Sequence, residues 1–234
     1  MMLLSVLLSV AASRMVQAAT LLSGGTVIAW NGKGLEVVRN GSVLVEDGTI
    51  TSVFSGSYNG TLPTDLEVVD ATNDIISTGF IDTHRHSWQT GFKTLGSNTT
   101  LLSYLTRYGT TSAAGTTLTP EDVYVGQLAG LYEAMNGGVT TIVDFAHCTW
   151  SAAHGRAALN ANIESGIRAV HAYNFGNYIF TNFTFDEQVE LFKELLGDSR
   201  LPNSTVEIGI SYDGFSADDA ISMNRTQTVL DLAT

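Results

Sequence analysis

"ISTGFIDTHRH", running from Ile76 to His86, is an apolar stretch that ends in histidine, arginine and histidine. Side chains two apart on a strand point the same way, so Asp82, His84 and His86 share a face and Arg85 takes the other. On that geometry Arg85 pairs with an acidic neighbour behind the sheet. Two readings of the histidines are open. They are solvated residues at a strand end, or they are two ligands of a metal, because neutral imidazole is a good donor for zinc and other borderline divalent ions. A catalytic zinc takes three protein donors and keeps one open position, so two histidines make a half-site.

Downstream of about Asp74, strand and helix patterns alternate. "DIISTGFIDTH" reads as one strand with Gly79 inside it, and a Thr- and Gly-rich connection follows from Ser87 to Leu118. "TPEDVYVGQLAGLYEAMNGG" predicts a helix capped by Thr119, with Pro120 at its first position and Gly137-Gly138 at its end. Val123, Leu128, Leu131 and Met135 give it an apolar face. "VTTIVDF" is rich in β-branched residues and predicts a strand. A helix over "SAAHGRAALNANIES", a strand "IRAVHAY", a helix "FDEQVELFKELLG", a strand "TVEIGISY" and a helix capped by Ser216 complete the pattern. In the "FDEQVELFKELLG" helix, Val189, Phe192 and Leu196 are expected on one face. The order βαβαβαβα predicts right-handed parallel units, which need helices on both faces or a closed barrel. Four units make half of a (β/α)8 barrel, and such barrels collect their chemistry at the C-terminal strand ends. His84 and His86 sit where that rule wants ligands.

Upstream, residues 19–73 carry only β signals. "GSVLVEDGTITSVFSG" reads as strand, turn and strand, with Asp47-Gly48 as the turn pair. A stack of hairpins this small must pack on something else. Residues 1–18 read as an export signal: "LLSVLLSVAA" is too short to span a bilayer, and "VQA" places small residues for cleavage after Ala18. Sequons at Asn40, Asn59, Asn98, Asn182, Asn203 and Asn224 agree with a glycosylated, secreted protein. The 234-residue chain has a formal net charge of −12, which argues against a nucleic-acid partner. Cys148 is the only cysteine, so no intrachain disulfide forms; it reads as a small buried residue.

"GFIDTHRH" resembles the first-strand motif of the amidohydrolase superfamily. "VLVEDGTITSV" is similar to that family's N-terminal β-sandwich hairpin, and "EAMNGGVTTIVDF" to its first barrel helix running into the second strand. The likeness covers essentially the whole chain after Ala18 and is closest to the branch of cytosine, guanine and adenosine-type deaminases and triazine hydrolases. The resemblance implies a partial TIM-type barrel over residues 74–234, behind an incomplete sandwich segment over residues 19–73. It implies that His84 and His86 bind a divalent metal, zinc or iron, and that metal-activated water attacks a carbon–nitrogen bond of a small molecule such as a nitrogen heterocycle. Binuclear members carry a carboxylated lysine on the fourth barrel strand. "TVEIGISYDGF" has no lysine, which points to a single metal. The family draws further ligands and a proton-handling Asp from later strands. Those catalytic residues are expected beyond Thr234, so the chain reads as C-terminally truncated. The expected consequences are self-association and, as the alternative to an enzyme, an inactive half-barrel glycoprotein.

Three other positions are candidates for substrate contact. Trp88 and Gln89 lie just past the ligands and suit a planar ring and its amide-like edge, or ordinary loop packing. His147 follows the second barrel strand at its C-terminal end. His171 lies inside a strand and reads as a core histidine, and His154 lies on a helix and reads as solvated. Nothing in the sequence promotes Asp144 or Asp213 to acid or base.

Overall fold

The computed structural model describes residues 19–109, 112, 114–178, 180–216 and 218–234. The export signal expected over residues 1–18 lies outside the described residues. The chain divides into two compact units between Thr78 and Gly79.

The first unit holds five strands: β1 (Ala19–Trp30), β2 (Leu35–Glu46), β3 (Thr49–Ser55), β4 (Leu66–Asp70) and β5 (Ile75–Ser77). They form one sheet in the order β3-β2-β1-β4, with β5 also on β1. Among the described residues of this unit there is no second, facing sheet. The β2–β3 hairpin turns at Asp47 and Gly48, whose φ values of 48° and 75° are both positive, as a tight primed turn demands. β4 pairs in parallel with Ala19–Ser23 and β5 with Thr26–Ile28, on either side of an irregularity at Gly24–Gly25. Gly24 has a φ of 83°, which suits glycine.

This pairing corrects the expectation of one strand across "DIISTGFIDTH". Ile75–Ser77 completes the first sheet, and a new strand, β6 (Phe80–Arg85), opens the second unit. Gly79 marks the change, and a Cβ there would collide with the Thr140 side chain.

The second unit contains β7 (Val139–Ala146), β8 (Arg168–Phe175) and β9 (Val206–Tyr212), all parallel to β6 and adjacent in chain order. The expected connection from Ser87 to Leu118 is more structured than its composition suggested. It holds a 3-10 helix at Ser87–Phe92, α1 (Leu101–Arg107), capped by Thr100, and α2 (Ala114–Thr117). α3 (Pro120–Asn136) begins with a reciprocal capping box between Thr119 and Asp122. α4 (Ala152–Ser165) is capped by Ser151 and ends at Gly166, which is left-handed. α5 (Phe185–Leu196) repeats the capping box with Thr184 and Glu187.

The buried face of α5 runs through Gln188, Leu191, Phe192 and Leu195, a clean i, i+3, i+4, i+7 stripe. Leu196, expected on that face, is exposed. α6 (Ala220–Leu232) is capped by Asp219 rather than Ser216, because the Asp219 carboxylate accepts from the N–H groups of both Ile221 and Ser222. One apolar cluster packs the helices on the sheet through Leu131, Ile142, Leu159, Tyr173, Phe175 and Phe192. A second gathers Trp88, Val123, Cys148, Trp150, Ala158 and Tyr178.

Candidate metal centre

β7 shows how the sheet separates its two faces. Ile142, Asp144 and Ala146 are buried under the helices, whereas Val143 and Phe145 are half-buried on the opposite face. His84 and His86 lie on the Phe145 face: each ring centroid is 5.2 Å from that of Phe145. The two imidazoles are 4.9 Å apart and nearly perpendicular. They converge although β6 is irregular here, where the pairing shifts register between Asp82 and Arg85. That bulge turns Arg85 toward Asp82, 3.6 Å away, and toward the Gly130 carbonyl, to which it donates at 3.2 Å. The acidic partner of Arg85 is therefore a residue of its own strand.

The hydrogen bonding fixes which nitrogen of His86 is free. Nδ1–H donates to the Phe145 carbonyl at 3.1 Å, which leaves Nε2 as a lone pair. A ligating histidine usually spends its other nitrogen in this way. Burial holds the His86 pKa below its ordinary value, partly opposed by that carbonyl bond, with the neighbouring His84 adding to the depression. The ring stays neutral, the form a metal needs. The donor set of this pair thus fits a borderline divalent ion. Among the described residues, no group of three or more His, Cys, Asp or Glu is arranged to hold one ion, so the pair is a partial set.

His147 joins the same cluster, its ring centroid 4.2 Å from that of His86. It is buried, and that burial, reinforced by the proximity of the titratable His86, pushes its pKa down to about 3. Trp88 is packed between His147 and Trp150, at 5.2 and 5.0 Å, and is buried. Gln89 donates to the Tyr108 carbonyl at 3.0 Å and accepts from the Tyr104 hydroxyl at 3.0 Å, which ties it to α1. Asp213 is exposed just past β9 and lines a cavity with Asn174, Phe175, Tyr212 and Arg225 at the C-terminal ends of β8 and β9.

Two residues, His154 and Asp144, differ from or add to the sequence reading, and a third, His171, agrees with it. His154 is buried rather than solvated: Nε2–H donates to the Leu118 carbonyl at 3.0 Å and Nδ1 accepts from the Ser151 hydroxyl at 2.8 Å. His171 is buried as expected, its Nδ1 accepting from Asn162 at 2.8 Å. Asp144 is the hub that the sequence hid. Its carboxylate accepts from the Ser87 backbone N–H at 3.2 Å, from Asn162 Nδ2 at 3.1 Å and from Gln127 Nε2. Burial pushes its pKa up, but His171, Asn162 and Ser87 more than offset this and hold it below the ordinary carboxylate range. Gly126 and Gly130 of α3 are a further pair the sequence analysis passed over. A Cβ at Gly126 would lie 2.6 Å from the Trp88 carbonyl, and one at Gly130 would strike the Ser87 carbonyl. The signal was in plain view, two glycines at helical i, i+4 spacing inside an apolar helix. None of the described helices is long and apolar enough to cross a membrane.

Four parallel strands thus carry two converging imidazoles at the C-terminal end of the first, His84 within β6 and His86 just past it. No protein-family model matches the chain. It is 34% identical over 125 residues to a 5-methylthioadenosine/S-adenosylhomocysteine deaminase from Symbiobacterium thermophilum, covering 53% of this chain and 27% of that protein. It is 30% identical over 186 residues to the enzyme of that name from Thermococcus kodakarensis, covering 80% of this chain and 40% of the relative. Among solved structures, a variant of atrazine chlorohydrolase from Arthrobacter aurescens with zinc and atraton superposes with a TM-score of 0.72 at 20% identity, over 91% of this chain and 51% of that one. Guanine deaminase from C. acetobutylicum, solved with guanine in its active site, gives 0.64 at 19% identity, over 83% of this chain and 46% of that one. The chain belongs to the amidohydrolase superfamily. It spans less than half the length of these curated relatives.

Proposed function

We propose that this chain carries the opening part of a hydrolase site that removes an amino group from a small nitrogen heterocycle, with His84 and His86 holding one zinc ion. The observation that carries the reading is the pair itself: two imidazoles 4.9 Å apart, one with its Nδ1 committed to a backbone carbonyl and its Nε2 left free. A bound divalent ion supplies Lewis acidity and lowers the pKa of water at neutral pH. The residues of the chain do the rest. Phe145 aims His86 through its carbonyl and lines both rings. His147, held neutral by burial, walls the site against Trp88 and keeps positive charge away from the ligands.

The net reaction replaces an exocyclic amine by oxygen, consuming one water and releasing ammonia. Adenosine-type amines are favoured as substrates because the curated relatives are named for 5-methylthioadenosine, S-adenosylhomocysteine and 5'-deoxyadenosine deamination. Zinc is favoured over iron because atrazine chlorohydrolase structures that superpose on this fold were solved with zinc. The same comparisons favour the hydrolase over a non-catalytic half-barrel. In this reading the four parallel strands are the first four units of an eight-stranded barrel, and the five-stranded sheet belongs to the accessory sandwich. The six sequon asparagines are all exposed, which supports glycosylation along a secretory route.

Elemental analysis of the purified chain tests the metal assignment. We expect about one zinc per chain in the wild type and a clear loss in His84→Ala and His86→Ala. Wild-type protein that carries no more zinc or iron than those variants would defeat the proposal. Ammonia release from 5'-deoxyadenosine tests the substrate class, and a gel shift on deglycosylation tests the secretory route.

A further inference from the structure

Asp144 is a group that the proposed chemistry does not use. It is fully buried on the helix-covered face of β7, and among the described residues no Lys or Arg pairs with it. A buried carboxylate without a cation is costly, and an apolar residue would fill the same space more cheaply. The fold instead surrounds it with donors from three directions, Ser87 after β6, Gln127 on α3 and Asn162 on α4, with the His171 ring of β8 beside it at 3.6 Å.

The Ser87 bond differs from the others in where it acts. The β6–β7 ladder ends at the pair Arg85 and Asp144. His86 follows with φ −108° and ψ 77°, in neither strand nor helix, so no ladder bond fixes the chain at the ligand. Two bonds from consecutive residues of β7 take over. Asp144 accepts from the Ser87 N–H, and Phe145 accepts from His86 Nδ1–H. One fixes the peptide that follows the ligand, and the other fixes its ring. Ser87 N–H is also the first amide of the 3-10 helix, a donor that helix geometry leaves without a partner.

We propose that Asp144 is a positioning residue for His86, its carboxylate reaching from the helix side of the sheet to hold the peptide after the ligand and so direct Nε2 toward the ion. The proposal rests on the metal reading above. A purely structural Asp144 would affect metal affinity only as far as it affects stability.

The test uses the full chain stripped of metal, with zinc(II) alone as probe. Zinc affinity is measured by competition with a chromophoric chelator, thermal midpoints are recorded, and long-range histidine NMR spectra report the His86 tautomer without metal. Asp144→Ala should weaken zinc binding about 10–100-fold, the usual cost of losing a group that orients a ligand, and His86 should lose its single Nδ1–H tautomer. Asp144→Asn keeps an acceptor for Ser87 N–H and should recover most of both. Leu159→Ala, in the apolar cluster, should lower the midpoint and leave zinc affinity unchanged. Should Asp144→Ala fail to fold, Ser87→Pro removes the donor instead, at a first helical position that tolerates proline, and carries the same expectation. Unchanged zinc affinity in Asp144→Ala, or losses that track the midpoint in Leu159→Ala as well, overturn the positioning role alone. Wild-type protein that binds zinc no better than His86→Ala overturns the metal reading and this proposal with it.

Discussion

Replacing Gly126 by alanine tests whether the backbone after the histidines lies directly on α3. In an ordinary helix interior the change stabilises by about 1 kcal/mol, because alanine has the better helix propensity. Here the added Cβ would stand 2.6 Å from the Trp88 carbonyl oxygen, against the 3.0 Å that real Cβ contacts respect, so something must move by 3.0 − 2.6 = 0.4 Å. The obstacle is backbone, not the tip of a flexible side chain. Overpacking of this kind costs about 1–3 kcal/mol. The two terms leave Gly126→Ala less stable than wild type by up to about 2 kcal/mol, or roughly 2–4 °C per kcal/mol for a unit of this size. Ala129→Gly, exposed on the same helix, measures the propensity term in place and should cost about 1 kcal/mol. Urea denaturation of both variants gives the comparison. Zinc affinity should fall in Gly126→Ala as well, because the displaced 3-10 helix begins at Ser87, next to His86. A Gly126→Ala protein that gains what Ala129→Gly loses would refute the close approach.

Other consequences are open to direct measurement. Thr119→Ala removes the acceptor that satisfies Asp122 N–H at 3.2 Å and should cost about 1 kcal/mol in urea denaturation; no change would mean that α3 does not depend on its cap. His154 is buried, and its pKa is held below the ordinary value, mainly by that burial, with the Leu118 carbonyl opposing. The unfolded chain takes up a proton at about pH 6.5 that the folded chain resists. His154 therefore contributes stability that is present above that pH and is lost as pH falls toward the folded value. His154→Gln should flatten the acid side of a plot of urea midpoint against pH, and an unaltered slope would show that this ring does not carry the dependence. Burial pushes the Cys148 thiol well up, so a thiol reagent should label it in urea and not in the native chain. Rapid native labelling would show that the cluster around Trp88 and Trp150 is open.

The elements that sequence could place were those whose signals are local. Thr119, Pro120 and Gly137 bound α3 because capping is a matter of three or four consecutive residues. The four parallel strands followed from β-branched runs spaced by helices. What stayed hidden depends on partners distant in the chain. Ile75–Ser77 and Phe80–Arg85 read as one strand because both are apolar, and only their pairing with different strands separates them. α1 was lost in a Thr- and Gly-rich connection because none of its residues is buried, so it has no periodic stripe to read. His154 looked solvated because its position on α4 gave no hint that Leu118, 36 residues earlier, would supply a carbonyl.

The candidate site divides along the same line. His84 and His86 announced themselves by a spacing of two at a strand end, although the end of β6 is irregular and the Phe145 carbonyl helps to place the second ring. Asp144 could not announce itself, because its meaning lies in the alternation of its strand. β7 turns Phe145 toward the histidines and Asp144 toward the helices, and each then holds the end of β6 from its own side. A single acidic residue between two apolar ones reads equally well as a buried mistake, an edge residue or a catalytic acid. Gln127 and Asn162 settle the matter: amide side chains fully buried on α3 and α4 have little reason to be there unless an acceptor waits for them. In a sequence of this kind, buried amides on the two helices that flank a strand are the sign to look for, and the acidic residue they enclose is the one whose removal should loosen the ligand without touching it.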